Sequence, residues 1–121
     1  MDIETFRQYC LQLKGVDESF PFGPDTLVYK VMGKVFAITG LDSEEFDVNL
    51  KCDPERAIEL REEHPGIIIA GWHMNKKHWN TVHFEQGLTN KFLIELIDHS
   101  YHLVVAGLPK KVQQELQQSD G

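Results

Sequence analysis

Eight consecutive residues, His73-Met74-Asn75-Lys76-Lys77-His78-Trp79-Asn80, bring together two lysines, two histidines, two carboxamides and a tryptophan. Lysine offers a point charge to phosphate, asparagine both donates and accepts, and tryptophan can stack on a base. The segment sits in the longest acid-free run of the chain, with no Asp or Glu between Glu63 and Glu85. Residues 64–84 carry a charge of +2 while the remainder carries −9. A basic patch on an acidic body contacts phosphate weakly and with a steep salt dependence. The structural alternative makes Trp72 and Trp79 core anchors and leaves Lys76 and Lys77 to solvate a loop.

Metal and nucleophile chemistry are the next possibilities. His73, His78 and His83 follow one another at intervals of five, which places neighbours on opposite faces of a strand. A site built from His73, His78, Asn75 and Cys52 therefore needs a loop to gather it. On the long C-terminal helix, Glu95, His99 and His102 stand at i, i+4 and i+7 beside Asp98, off the apolar stripe. That spacing suits either a metal or a solvated acid–histidine face. Cys10 falls on an apolar stripe and reads as core. Cys52 follows Lys51 and precedes a helix start, both of which lower a thiol pKa, but it reads first as a small strand-end residue. No Gly-x-Ser-x-Gly, phosphate loop or dinucleotide fingerprint occurs. No catalytic constellation emerges, and the chain reads as a binding domain and not an enzyme, with no cofactor.

The elements that must position these residues follow from the whole chain. Its 121 residues suit one domain, and a chain of this size buries a core without metal or disulfide. Two cysteines give no disulfide framework. Met1-Asp2-Ile3-Glu4 is unlike a secretory signal, and no apolar run such as Ile67–Ala70 exceeds four residues. The expected location is the cytoplasm, away from membranes. The net charge of −7 argues against a general nucleic-acid binder.

Ile3, Phe6, Cys10 and Leu13 form a helical stripe over residues 2–14, stopped by Gly15. Phe20 to Asp25 is a loop rich in proline and glycine. Leu27–Val31 and Lys34–Thr39 form a hairpin around Met32-Gly33. A two-residue turn puts Leu27, Tyr29, Val31, Phe36 and Ile38 on one face and Val28, Lys30, Val35 and Ala37 on the other. Phe46–Lys51 alternates, with Phe46, Val48 and Leu50 inward and Asp47, Asn49 and Lys51 outward. Asp53-Pro54 opens a helix that runs to about His64. Ile67–Ala70 and Thr81–Glu85 are short strands. Phe92, Leu93, Leu96, Ile97, Tyr101 and Val104 stripe a long helix ended by Gly107. Pro109 opens a last helix, with the domain spanning residues 1–116 and a frayed tail at 117–121. The order is α-β-β-β-α-β-β-α-α. It predicts a single two-layer α+β domain with a five-stranded antiparallel sheet and helices on one face. The other face would show Lys30, Asn49, Lys51, Thr81 and His83 among Val28, Val35 and Ala37.

Four segments carry a resemblance. Phe20-Pro21-Phe22-Gly23-Pro24-Asp25, followed by Val28-Tyr29-Lys30-Val31-Met32-Gly33-Lys34, resembles the entry loop and first hairpin of the MmcQ/YjbR-like family of small bacterial proteins. Asn49-Leu50-Lys51-Cys52-Asp53-Pro54 resembles its strand-to-helix junction. His73 to Trp79 resembles its signature, and Ser100-Tyr101 with Leu103-Val104 resembles its long-helix end. Ala70-Gly71-Trp72 departs from the family pattern, standing where a proline and a tyrosine are expected. The resemblance covers residues 1 to 112. It implies a two-layer α+β fold shaped like the type III secretion chaperones and frataxin, and DNA binding; no enzymatic activity follows from it.

Two functions are carried forward from this reading. The first is DNA binding through Lys76, Lys77, Asn75, His78 and Trp79, extended by Lys30, Lys34 and Lys51 and sensitive to salt. The second is a protein-interaction or adaptor module, or self-association, through the open sheet face.

Overall fold

Capping side chains fix where the helices begin. In the computed structural model, which describes residues 1–71 and 74–118, Asp2 accepts the Thr5 N–H at 2.8 Å and opens α1 (Ile3–Gln12). Asp53 accepts the Arg56 N–H at 3.3 Å, with Pro54 at the helix start, and opens α2 (Pro54–Glu63). Thr89 accepts the Phe92 N–H at 3.1 Å and opens α3 (Asn90–Ala106), which closes on Gly107. The last helix, α4 (Lys110–Gln118), extends into the segment expected to fray, and residues 119–121 lie outside the described residues.

Six strands, β1 (Val16–Ser19), β2 (Thr26–Val31), β3 (Lys34–Gly40), β4 (Asp47–Lys51), β5 (Ile68–Ala70) and β6 (Trp79–His83), form one sheet in the order β1-β2-β3-β4-β6-β5. Every neighbouring pair is antiparallel. The expected α+β architecture holds, but with six strands and not five. The additional strand, β1, reads Val-Asp-Glu-Ser and has no hydrophobic alternation to reveal it. It is a short, charged edge, a composition that discourages pairing with other chains. Glu18 of β1 is tied down by Arg7 of α1 at 2.9 Å and by the Tyr29 hydroxyl at 2.9 Å.

All helix–sheet packing is on one face: α1 lies against β1, α2 against β5, and α3 across β2, β3 and β4. Phe6 is the hub of the core, making edge-on contacts with Tyr29, Phe46 and Phe84 at ring distances of 5.4 to 5.5 Å. The hairpin turn is Met32-Gly33, as expected. Both residues have positive φ, which matches the turn to the strand twist.

The expected hairpin faces need correction. The β2–β3 register shifts by one residue between Tyr29 and Lys30, so Phe36 is an extra, bulged residue. Phe36 and Ala37 both point into the core, while Ile38 pairs with Val28 on the open face. The bulge also shortens the β3–β4 ladder to Ala37–Leu50 and Ile38–Asn49. Ser100 of α3 spans the gap: its Oγ accepts the Lys51 N–H at 2.9 Å and donates to the Phe36 carbonyl at 2.5 Å.

Candidate functional site

The face of the sheet away from the helices is organised in three bands across the strands. Period-two alternation sends Asp47, Asn49 and Lys51 of β4 to the same side as Trp79, Thr81 and His83 of β6. The observed register pairs them as Asp47 with His83, Asn49 with Thr81 and Lys51 with Trp79. The middle band continues through Ser19, Val28, Ile38, Asn49, Thr81 and Ile69, one residue from each strand. Within it the Thr81 hydroxyl donates to Asn49 Oδ1 at 2.5 Å.

One end of this face is basic and aromatic. Lys51 and Trp79 are cross-strand neighbours there, and Lys30 stands between Asp17 and Val35 at the corresponding end of β2. Lys76 and Lys77 are exposed in the turn that leads into Trp79. That turn is built by its own sequence. Asn75 Oδ1 accepts the Lys77 N–H at 2.9 Å, and the Asn75 carbonyl accepts the N–H groups of His78 and Trp79. The loop is pinned to its neighbours, with Gly71 N–H donating to the Trp79 carbonyl at 2.9 Å and Arg61 to the Lys76 carbonyl at 3.4 Å. A side chain at Gly71 would meet the Trp79 Cβ at 2.9 Å, so the close approach requires glycine.

Several expected site residues have other tasks. Asn75 spends its side-chain oxygen on the turn. Asn80 points inward, buried, with its amide against the Ala57 carbonyl at 3.4 Å. His78 is half-buried, and its carbonyl accepts the Cys52 N–H at 2.8 Å. Lys34 pairs with core-facing Val31 and therefore starts on the helix side of the hairpin, not on the open face. Trp72 and His73 lie outside the described residues.

Between the two ends lies a groove of about 840 Å³, lined by Trp79, Met74, Val35, Ile38, Asn49 and Phe22 among others. Phe22, from the loop before β2, is 70% exposed at its rim. Sequence reading placed Phe22 in a loop but gave it no role, because a loop offers no periodicity from which to read a direction.

The other end of the face is acidic. Glu45, Asp47 and His83 converge there, with Nδ1 of His83 hydrogen-bonded to Asp47 Oδ1 and 3.7 Å from Glu45 Oε2. In the sequence Asp47 reads only as an outward residue of its strand, and His83 as the last of three histidines at intervals of five. Only the β4–β6 register brings them together.

The helix histidines do not form a metal site. His99 Nε2 accepts the Asp53 N–H at 3.1 Å, at the start of α2. Burial is the main reason its pKa lies below the ordinary value, with Arg56 adding to the effect. Neighbouring Asp98 accepts a hydrogen bond from the Tyr9 hydroxyl. Among the described residues, the one His/Cys/acid group whose ligand atoms converge is Glu45–Asp47–His83, and Glu95, His99 and His102 are not part of it. Cys52 is buried at the strand end, as a small packing residue would be. Burial outweighs the lowering by Arg56 and Arg61 and pushes the thiol up to about 11. Cys10 is fully buried, and its thiol is pushed up further.

A family model described as YjbR matches residues 11–103. The chain belongs to the YjbR family. It is 38% identical over 114 residues to the uncharacterised protein YbdF of Escherichia coli O157:H7, covering 93% of this chain and 92% of that one. It is 31% identical over 118 residues to the uncharacterised protein YjbR of Escherichia coli K12, covering 98% and 99%. Among solved structures, it superposes on a Deinococcus radiodurans protein with a DUF419 domain at a TM-score of 0.90, with 38% identity, over 98% of this chain and 90% of that one. A Pseudomonas syringae protein follows at a TM-score of 0.72 and 26% identity, over 85% and 98%. Family membership therefore accounts for the fold, while the functional reading of this YjbR protein rests on its open face. No helix among the described residues is long and apolar enough to cross a membrane.

Proposed function

We propose that this YjbR protein is a binding domain, with no chemical step of its own, that takes a single strand of DNA along the basic half of its open sheet face. The carrying observation is the cross-strand pair of Lys51 and Trp79 beside the exposed Lys76 and Lys77, on the face opposite the one where α1, α2 and α3 pack. Trp79 would stack a base, and Lys30, Lys51, Lys76 and Lys77 would meet successive phosphates. The groove in front of Trp79 has room for an unstacked base, and Asn49 offers it an amide. A single strand suits such a face better than a duplex, whose bases already stack on one another. The acidic end repels a phosphate backbone and confines the strand to the opposite half.

Fluorescence anisotropy with a labelled single strand and its duplex at low salt tests this reading. Wild type should prefer the single strand. Trp79→Ala should weaken binding by about 1–3 kcal/mol, the usual loss for one base stack. Equal binding by Trp79→Ala, or a preference for the duplex, would exclude the stacking contact.

A second reading is a protein partner on the same face. It is motivated by Phe22, 70% exposed, and Ile69, 37% exposed, at opposite sides of that face. It predicts a salt-tolerant association that survives loss of the lysines and is abolished by Phe22→Asp.

A further inference from the structure

The acidic end of the open face is built differently from a solvated run of carboxylates. Glu45-Phe46-Asp47 enters β4 and His83-Phe84-Glu85 leaves β6, so two short segments oppose each other with polar residues on either side of a phenylalanine. The Phe84 N–H donates to the Phe46 carbonyl at 3.0 Å, extending the ladder beyond the Asp47–His83 pair. Phe46 and Phe84 pack edge-on at 5.3 Å, and each lies 5.5 Å from Phe6. These inward anchors fix the outward direction of Glu45, Asp47 and His83. One ligand atom from each of the three lies within 4.8 Å of the others. The His83 side chain is only 16% exposed, so its ring is held rather than free to swing. Among the described residues, no lysine or arginine forms an ion pair with Glu45 or Asp47. Glu44 and Glu85 add further negative charge around a hollow of about 330 Å³ in front of the cluster.

The geometry points to a binding site for a divalent first-row transition ion, ligated by His83 Nδ1 and by the carboxylates of Asp47 and Glu45. One imidazole nitrogen with two carboxylate oxygens suits zinc, manganese or cobalt better than magnesium or calcium, which prefer oxygen alone. Three protein donors leave coordination positions open. Those positions face the hollow and would accept an oxygen of an anionic ligand such as a phosphate or carboxylate. Binding exchanges the hydrogen bond between His83 and Asp47 for two metal–ligand bonds, with the neutral ring carrying its proton on Nε2 and Nδ1 free to ligate. The site lies at the opposite end of the face from Trp79, and its ligands are none of the residues that would contact nucleic acid.

The test is titration of chelator-stripped protein with zinc against a chromophoric competitor, and with cobalt followed by its visible absorption. One equivalent should bind. His83→Gln and Asp47→Asn should each weaken zinc at least about tenfold and alter the cobalt spectrum, while His102→Gln should change neither. Metal-free melting curves establish that the variants are folded. Should His83→Gln not fold, Glu45→Gln gives the answer, because that side chain is 61% exposed and its loss spares the core. Zinc binding unchanged in Glu45→Gln and Asp47→Asn, or no binding by wild type, would overturn the assignment.

Discussion

His99 shows how far burial can redirect a residue that looks like a ligand. Its ring nitrogen accepts the backbone N–H of Asp53, and only the neutral form of Nε2 can do so. Its folded pKa lies below the ordinary 6.5, chiefly through burial. The unfolded chain takes up the proton near that ordinary value while the native ring resists it. The stability from this contact is therefore complete above about pH 6.5 and is lost as the pH falls through the lowered value. In His99→Gln, whose amide oxygen can accept the same N–H without titrating, denaturant midpoints should fall less steeply below pH 6.5 than in wild type. Parallel profiles for the two proteins would count against the linkage. At this scale the sequence is only partly informative. The charge of Lys76 and Lys77 is legible in the sequence, but their exposure is not, because their loop carries no periodicity from which to read a direction. The directions of Asn80 and His99 depend on which neighbour each side chain meets after folding.

The strands divide according to whether their own pattern or their neighbours determine them. β4 was legible because Phe46, Val48 and Leu50 alternate without interruption, and α2 because Asp53-Pro54 marks its start. β1 was not, since its role is to close an edge and it contributes one apolar side chain, Val16. The bulge at Phe36 was hidden for a related reason. An extra residue leaves the composition of β3 unchanged and shows only when β2 is laid beside it. The cost of that bulge falls on Ser100, which satisfies one donor and one acceptor where the β3–β4 ladder stops. Ser100→Ala should leave both buried groups without this partner and destabilise the domain by about 1–3 kcal/mol in equilibrium denaturation, with the native fold retained. A loss within experimental scatter would mean that the strands close the gap themselves. A related bond ties the same helix to the turn after α1, where the Tyr101 hydroxyl donates to the Lys14 carbonyl at 2.5 Å.

Across the whole molecule, the open face is polarised along the strands: lysines and Trp79 at one end, Glu45, Asp47 and His83 at the other, with Asn49 and Thr81 between them. The acid-free run of residues 64–84 identified the basic end in the sequence. The acidic end was illegible because its members come from segments more than thirty residues apart, joined by a strand register that no local pattern encodes. This separation would reconcile a charge of −7 with the proposed nucleic-acid ligand, since a strand held at one end need not cross the other. The fold itself was readable because helix caps, turn chemistry and strand alternation agree with one another.

The central claim is that lysines around Trp79 contact phosphate. The most direct test is the salt dependence of single-stranded DNA binding for wild type and a Lys51→Ala/Lys76→Ala/Lys77→Ala variant. Three lost phosphate contacts should flatten the slope of log K against log salt by about two units. An unchanged slope, or wild-type binding indifferent to salt, would contradict the claim and leave the face to a partner recognised through its apolar rim.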